Sequence, residues 1–257
     1  MSGRSAIEFS TPYGRSGHNR LIDMMPADLR QTILDKGELI DLNATDVLFR
    51  SGDDIKSTIF PMSPAMISLV VDVDDKRSVE VASIGQEGAI GGIVSCGDLP
   101  AFTRAEVQVG GKAYRVPMDV IEQLKRDDVF MRDLFCRYAD YLLAQVMQSV
   151  ACNAFHPIEA RAARWLLTAQ DRAGDELELT QGALAALLGV QRTSVNAVAR
   201  QLQSEGLIQY RRGIVTVTDR DELEHRACEC YRRVEDHFDA VLGSGDAAWI
   251  ESCQKAG

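Results

Sequence analysis

A chain of 257 residues, of which 46% are hydrophobic, is long enough to bury one large core or two smaller ones. Its formal net charge of -10 excludes a general role in coating nucleic acid, because that role needs many lysines and arginines. No run of about 18 apolar residues occurs, and the first thirty residues lack the apolar stretch of a signal peptide. We therefore expect a cytoplasmic protein that does not bind membranes.

Residues 21–117 are predicted to form a first domain, after a flexible segment at residues 1–20. Short apolar runs in this domain alternate with glycine, proline and aspartate, as in a compact β barrel or roll, with turns at residues 74–76 and 110–112. The glycine-rich stretch at residues 85–92 could cradle a phosphate or simply form tight turns, and turns are favoured because no arginine lies nearby in the sequence. Its glycines are weak candidates for an effector pocket: Gly85, Gly88, Gly91 and Gly92.

Residues 118–155 contain no glycine and become periodic, which predicts a long helix. Large side chains recur four and three residues apart along it, as in a coiled coil, and we expect this seam to pair two copies of the chain. The predicted dimerisation residues are Leu134, Tyr138, Tyr141, Gln145 and Gln148. A second stripe, from Met131 to Ser149, is expected to face the roll or the other domain. Pro157 then breaks the helix and marks a domain boundary.

Residues 156–218 carry the pattern of a helix-turn-helix followed by a β-hairpin. Thr180 can cap a short helix that ends at Gly189. A second helix begins near Arg192 and ends at Gly206. Two apolar segments then flank a basic turn, which predicts a wing beside the two helices.

The positive charge of the chain is concentrated in this motif. Residues 179–213 hold four arginines and one glutamate, whereas residues 1–156 hold 16 basic and 22 acidic residues. A basic segment on an acidic body is typical of a sequence-specific DNA-binding protein. The side chains expected to read base edges are Gln191, Arg192, Thr193 and Asn196. Those expected to contact phosphates are Thr180, Ser194, Arg200, Arg211 and Arg212.

The order of these parts, together with the sequence TQGALAALLGV at residues 180–190, resembles the Crp/Fnr family of bacterial regulators over about residues 20–220. The resemblance implies an α+β fold with an N-terminal, cyclic-nucleotide-binding-like β roll, a long dimerisation helix and a C-terminal winged helix-turn-helix. It further implies a homodimeric transcription regulator that is not an enzyme. Double-stranded DNA carrying an inverted-repeat operator and RNA polymerase are the implied partners.

Several positions depart from the patterns of this family. Members that bind cyclic AMP have a glutamate where this chain has Gly92, and an Arg-Ser or Arg-Thr pair where it has Leu-Pro at residues 99–100. We therefore do not expect cyclic AMP binding of the usual kind. Iron–sulfur members carry an N-terminal cysteine cluster, whereas the first cysteine here is Cys96. Thr193 and Ala197 replace the Glu and Arg that often read bases, so the usual half-site is not expected.

Six cysteines scattered through the chain predict reduced thiols rather than a disulfide framework. Zinc ligands could converge if the helical extension at residues 219–257 folds back towards the domain boundary. The candidates are Cys152, His156, His225, Cys228 and Cys230. A helix would direct the last two cysteines about 200° apart, which favours small buried thiols. We therefore expect no metal and no cofactor.

Other classes of function stay open at this point. Cys152 and His156 could act as nucleophile and base, but no orienting third group accompanies them, so an enzyme is not expected. A sensor dimer whose DNA binding needs a ligand, a metal or a redox change, or an interaction dimer that has lost DNA binding, would also fit the acidic charge. Arg192, Asn196 and the wing arginines favour retained DNA binding.

Overall fold

The computed structural model describes residues 18–62, 64–74, 77–93 and 99–243. Most of the predicted N-terminal segment, part of the predicted turn at residues 74–76, and Cys96 and Cys253 lie outside the described residues. Within the described part of the chain, no helix is long and apolar enough to cross a membrane.

The chain forms a β roll, a long helix and a winged helix-turn-helix in that order, as predicted. The first helices are α1 (Arg20–Met24) and α2 (Ala27–Lys36). The strands of the roll are β1 (Glu38–Leu42), β2 (Val47–Phe49), β3 (Ser57–Pro61), β4 (Met66–Asp74), β5 (Arg77–Ile84), β6 (Arg104–Val109) and β7 (Gly111–Pro117). Helices α3 (Met118–Asp127) and α4 (Val129–Phe155) follow.

The second half of the chain begins after Pro157. Its elements are α5 (Ile158–Ala173), β8 (Glu176–Glu178), α6 (Gln181–Leu188), α7 (Arg192–Ser204), β9 (Ile208–Arg211) and β10 (Ile214–Val217). Two further helices are α8 (Arg220–Arg226) and α9 (Cys230–Leu242).

The roll consists of two antiparallel sheets, with strand orders β1-β7-β3 and β2-β6-β4-β5. Alternate residues of these strands point inwards, and they pack with α1, α2 and α4 into one hydrophobic core. Phe60, Ile67 and Ile84 are fully buried in this core. The predicted turn between residues 110 and 112 lies where β6 ends and β7 begins.

The long helix starts later than the sequence predicted. Residues 118–127 form the separate helix α3, and α4 begins at Val129, because the side chain of Asp128 accepts a hydrogen bond from the backbone N–H of Met131 at 2.9 Å and caps a new helix. The periodic pattern is continuous across this break, so it does not reveal where one helix ends and the next begins.

The predicted dimerisation seam is wrong for most of its residues, because they are buried within a single chain. Leu134 and Tyr138 are 0% exposed and Tyr141 is 3% exposed. The Tyr138 hydroxyl donates to the carbonyl of Ala89 and accepts from its N–H, both at 2.9 Å. Gln145 is buried beside β5, and the Gln148 amide donates to the thiol of Cys230 at 2.9 Å. This face of α4 therefore packs on the roll and on α9.

Up to residue 243, where the described part of the chain ends, the C-terminal extension contains two helices, α8 and α9. Helix α8 ends at Arg226, since Ala227 is in an extended conformation, and α9 starts at Cys230. Helix α9 then packs along α4, where the rings of Phe238 and Tyr141 meet edge to face with 4.9 Å between centroids.

A buried arginine connects the two halves of the chain. Arg172, in the last turn of α5, pairs with the carboxylate of Glu87 at 2.5 Å and donates to the hydroxyl of Ser83 at 2.6 Å. Both charged residues are buried. About two helical turns earlier, the indole of Trp165 donates to the carboxylate of Glu80 at 3.1 Å, and burial raises the pKa of that carboxyl. Helix α5 is thereby fixed to the roll.

Replacing Arg172 with methionine should lower the free energy of unfolding by about 3–5 kcal/mol, because the charge of Glu87 then stays buried without its partner. Urea-induced unfolding followed by circular dichroism measures this loss. Adding Glu87→Gln to the variant should recover part of it. As a control, Arg77→Met breaks an exposed pair with Asp74 and should cost less than about 1 kcal/mol. An Arg172→Met loss no larger than that of the control would contradict this assignment.

Candidate functional site

Helices α6 and α7 meet across a tight turn. The hydroxyl of Thr180 accepts a hydrogen bond from the N–H of Ala183 at 3.1 Å, which caps α6 at its start. Helix α6 ends at Gly189, whose φ of 64° lies in the left-handed region that favours glycine. A side chain at this position would also crowd Val79 of β5, 3.3 Å from the added carbon. The turn therefore requires a glycine.

Helix α7 buries one side and exposes the other. Val195, Val198 and Leu202 are buried in a core shared with α5, α6 and the wing strands. The structure exposes three of the predicted base-reading side chains at the start of α7: Gln191, Arg192 and Thr193. The fourth, Asn196, is half-buried, and its amide oxygen is buried without a hydrogen-bond partner among the described residues.

Strands β9 and β10 form the predicted wing. The turn between them contains Arg212 and Gly213, with φ values of 51° and 84°, and this conformation is typical of a tight two-residue hairpin. Tyr210 attaches the wing to the helix-turn-helix, because its hydroxyl donates to the carbonyl of Leu179, just before α6, at 2.6 Å. Arg211 and Arg212 are exposed at the tip of the wing.

Four exposed arginines of the helix-turn-helix and the wing have no carboxylate partner among the described residues. In the part of the chain that the structure describes, four arginines form neither an ion pair nor a side-chain hydrogen bond: Arg192, Arg200, Arg211 and Arg212. Several other arginines in the same half of the chain are paired with carboxylates, as in Arg220 with Asp171 at 2.8 Å. We call these four unpaired side chains the arginine surface. Phosphate groups are the usual partners of such a surface.

The remaining candidate phosphate ligands lie at the starts of the two helices of the motif. Thr180 is exposed although its hydroxyl caps α6, and Ser194 is half-buried in the first turn of α7.

The four candidate glycines of the roll lie against neighbouring groups. A side chain at Gly85 would collide with Arg172, and one at Gly88 would collide with the Tyr138 hydroxyl. Side chains at Gly91 and Gly92 would collide with the Ser57 carbonyl and the Met118 sulfur. These glycines permit close packing. The arginine that the sequence lacks near this loop is supplied by α5, 85 residues away from Glu87 along the chain.

A cavity of about 580 Å³ opens beside this loop, between the roll, α4, α5 and α9. Glu87 and Arg172 form part of its wall, together with Gln145, Arg164 and Glu235. Buried nitrogens of Gln145 and Arg164 have no hydrogen-bond partner in the described chain. Burial, together with the charges of Asp239 and Asp236, raises the pKa of Glu235 to about 7. Sequence reasoning missed this cavity because its walls come from four distant segments.

Four of the five candidate zinc ligands converge where α4 ends. Because the chain is not helical between Arg226 and Cys230, Cys228 and Cys230 do not diverge as a continuous helix would require. The donor atoms of the following residues all lie within 4.8 Å of one another: Cys152, His156, Cys228 and Cys230. We call this group the thiol cluster. The remaining candidate, His225, is exposed beside Glu222.

Comparison with known proteins agrees with this architecture. Residues 160–226 match the Crp-like helix-turn-helix domain. The chain is similar in structure to a putative transcriptional regulator of the Crp/Fnr family from Eubacterium rectale, with a TM-score of 0.62 and 17% identity over 82% of this chain and 97% of that one. A search of curated proteins finds no match.

Two further solved structures have the same fold. FixK2 from Bradyrhizobium japonicum has a TM-score of 0.63 and 13% identity over 75% of this chain and 98% of that one. The c-di-GMP-responsive global regulator CLP from Xanthomonas campestris has a TM-score of 0.60 and 19% identity over 75% of this chain and 99% of that one. At these identities the similarity establishes a common fold.

Proposed function

We propose that the chain, which has the fold of Crp/Fnr-type regulators and a Crp-like helix-turn-helix domain, regulates transcription by binding specific double-stranded DNA as a homodimer. The observation that carries the proposal is the arginine surface. It is a group of cations with no ion-pair partner among the described residues, on a chain whose net charge is -10, and it lies on a motif suited to enter a major groove.

The side chains of the arginine surface have different roles in this proposal. Arg192 lies at the start of α7, where a recognition helix reaches furthest into the major groove, so it pairs with a guanine, with Gln191 and Thr193 beside it. Asn196, one turn later, reads a base only if its half-buried amide turns outwards. Arg200 and the wing arginines contact phosphates, which position the protein without specifying sequence. Thr180 and Ser194 add hydrogen bonds to phosphate.

The homodimer is proposed to form on the exposed face of α4, which the predicted seam did not include. Leu143, Met147 and Val150 are 51%, 61% and 65% exposed, and they follow one another four and three residues apart. Such spacing on a long helix suits a coiled-coil contact with a second copy of the same helix. A two-fold axis along α4 would present two recognition helices to an inverted-repeat operator in the cytoplasm, where RNA polymerase is the further expected partner.

A second candidate function is a sensor whose DNA binding depends on a small ligand. The cavity beside Glu87 supports it, since its wall includes Arg172 and buried nitrogens that lack partners in the described chain. CLP, which has the same fold, is described as c-di-GMP-responsive. Gly92 and the Leu-Pro pair at residues 99–100 do not favour cyclic AMP of the usual kind. DNA binding by the purified protein without any added ligand would count against this candidate.

Replacing Arg192 with alanine should weaken binding to the duplex that the protein prefers by about 1–3 kcal/mol, because a bidentate hydrogen-bond contact to a base is lost. Fluorescence anisotropy with a labelled duplex measures the affinity. Arg50→Ala, which removes an exposed arginine from the roll, is the matched control and should leave the affinity unchanged. Unchanged binding by the Arg192→Ala protein would remove this residue from the base-reading set.

Replacing Met147 with glutamate should convert the dimer to a monomer at micromolar concentration, because two like charges would face each other at the seam. Analytical ultracentrifugation measures the assembly state. Leu39 is 50% exposed on β1, and Leu39→Glu is the matched control that should remain dimeric. A Met147→Glu protein that is still dimeric would exclude this face as the dimer contact.

A further inference from the structure

We propose that the thiol cluster is a structural zinc site, in which Cys152, His156, Cys228 and Cys230 hold one Zn²⁺ ion. Three thiolates and one imidazole form a common ligand set of structural zinc sites. All four residues come from two places. One is the end of α4 with the residue that follows it, and the other is the connection between α8 and α9 with the first residue of α9.

The spacing of the donor atoms suits a single ion. With bonds of about 2.3 Å to sulfur and 2.0–2.1 Å to nitrogen, a tetrahedral zinc ion separates two sulfurs by about 3.8 Å, and a sulfur from a nitrogen by about 3.5 Å. The sulfurs of Cys152 and Cys228 are 3.5 Å apart, and the sulfur of Cys230 lies 3.4 Å from Nδ1 of His156. An iron–sulfur cluster, which holds several irons and sulfides between its ligands, needs a wider separation.

Groups around the cluster orient its ligands as in metal sites. Nδ1 of His156 points towards the cluster, and Nε2 lies 3.4 Å from the carboxylate of Glu229. A carboxylate on the outer nitrogen fixes the orientation of a metal-bound histidine. The Gln148 amide donates to the Cys230 sulfur at 2.9 Å, as donors near a metal thiolate do.

Burial and charge also suit a bound ion. Cys152 and Cys230 are 0% exposed and Cys228 is 8% exposed, so the site is closed to solvent on the thiol side. Zinc with three thiolates would carry one net negative charge. The guanidinium groups of Arg161 and Arg164 lie close enough to interact electrostatically with Cys152, and the Nε atoms of both are buried without hydrogen-bond partners among the described residues. These cations would offset that charge.

Two simpler explanations account for fewer of these contacts. Small buried thiols need no convergence with a histidine whose side chain is 22% exposed. A disulfide between Cys152 and Cys228 would leave Cys230 and His156 without a role. A zinc ion uses all four donors, and it would fasten the C-terminal extension to the end of α4, next to Pro157, where the winged half of the chain begins.

Metal analysis of the full-length protein tests the proposal. The protein is purified under reducing conditions without chelators, and its metal content is measured by inductively coupled plasma mass spectrometry. We expect about one zinc ion per chain. Cys230→Ser should lose most of this zinc, whereas Cys136→Ser, which changes an exposed cysteine outside the cluster, should keep it. Circular dichroism checks that both variants fold.

Replacement of the zinc by Co²⁺ gives an independent readout. Tetrahedral thiolate ligation of Co²⁺ should produce visible d–d absorption bands and a sulfur-to-metal charge-transfer band, and His156→Gln should shift them while the protein stays folded. Folded protein without metal, zinc that Cys230→Ser retains, bound iron with sulfide, or a metal-free Cys152–Cys228 disulfide would each overturn the proposal. The measurement uses no DNA, so its failure is distinct from a failure of the regulator proposal.

Discussion

The ion pair between Arg172 and Glu87 holds the DNA-binding half of the chain against the roll. A buried charge is costly unless a partner neutralises it, so each residue needs the other in place. Arg172 ends the same helix that carries Trp165 and that packs behind α6 and α7. The position of the recognition helix relative to α4 therefore depends on a contact between α5 and the roll.

The same junction contains the other unusual features of the molecule. Arg172 lines the cavity that could receive an effector, and Cys230 of the thiol cluster lines it too. Helix α4 borders these features with one face and exposes Leu143, Met147 and Val150 on another. A ligand bound in the cavity, or a metal ion bound in the thiol cluster, would thus contact residues that position the two halves of the chain.

Local signals in the sequence predicted much of the fold. Thr180, Gly189 and Gly206 mark the helix-turn-helix correctly because caps and left-handed turns are set by neighbouring residues. The seam of α4 was misassigned because its buried face and its exposed face carry apolar residues at the same spacing. Leu134 and Leu143 each belong to a series of residues spaced four and three apart. Only the position of the roll determines which of the two is buried.

The junction itself could not be predicted from the sequence. Arg172 approaches Gly85 across a long separation along the chain, and Cys228 and Cys230 converge only because α8 ends before them. His225, the fifth candidate ligand, instead lies on α8 with its side chain exposed. Contacts of this kind depend on how whole elements pack, which residue spacing does not encode.

The central claim, a dimer that reads specific DNA, is tested most directly by selecting bound duplexes from a random-sequence library with the purified protein at moderate salt and without added ligand. The account predicts enrichment of an inverted repeat whose half-sites lie about one helical turn apart. Retention of duplexes without any common sequence, or a single unrepeated half-site, would contradict it.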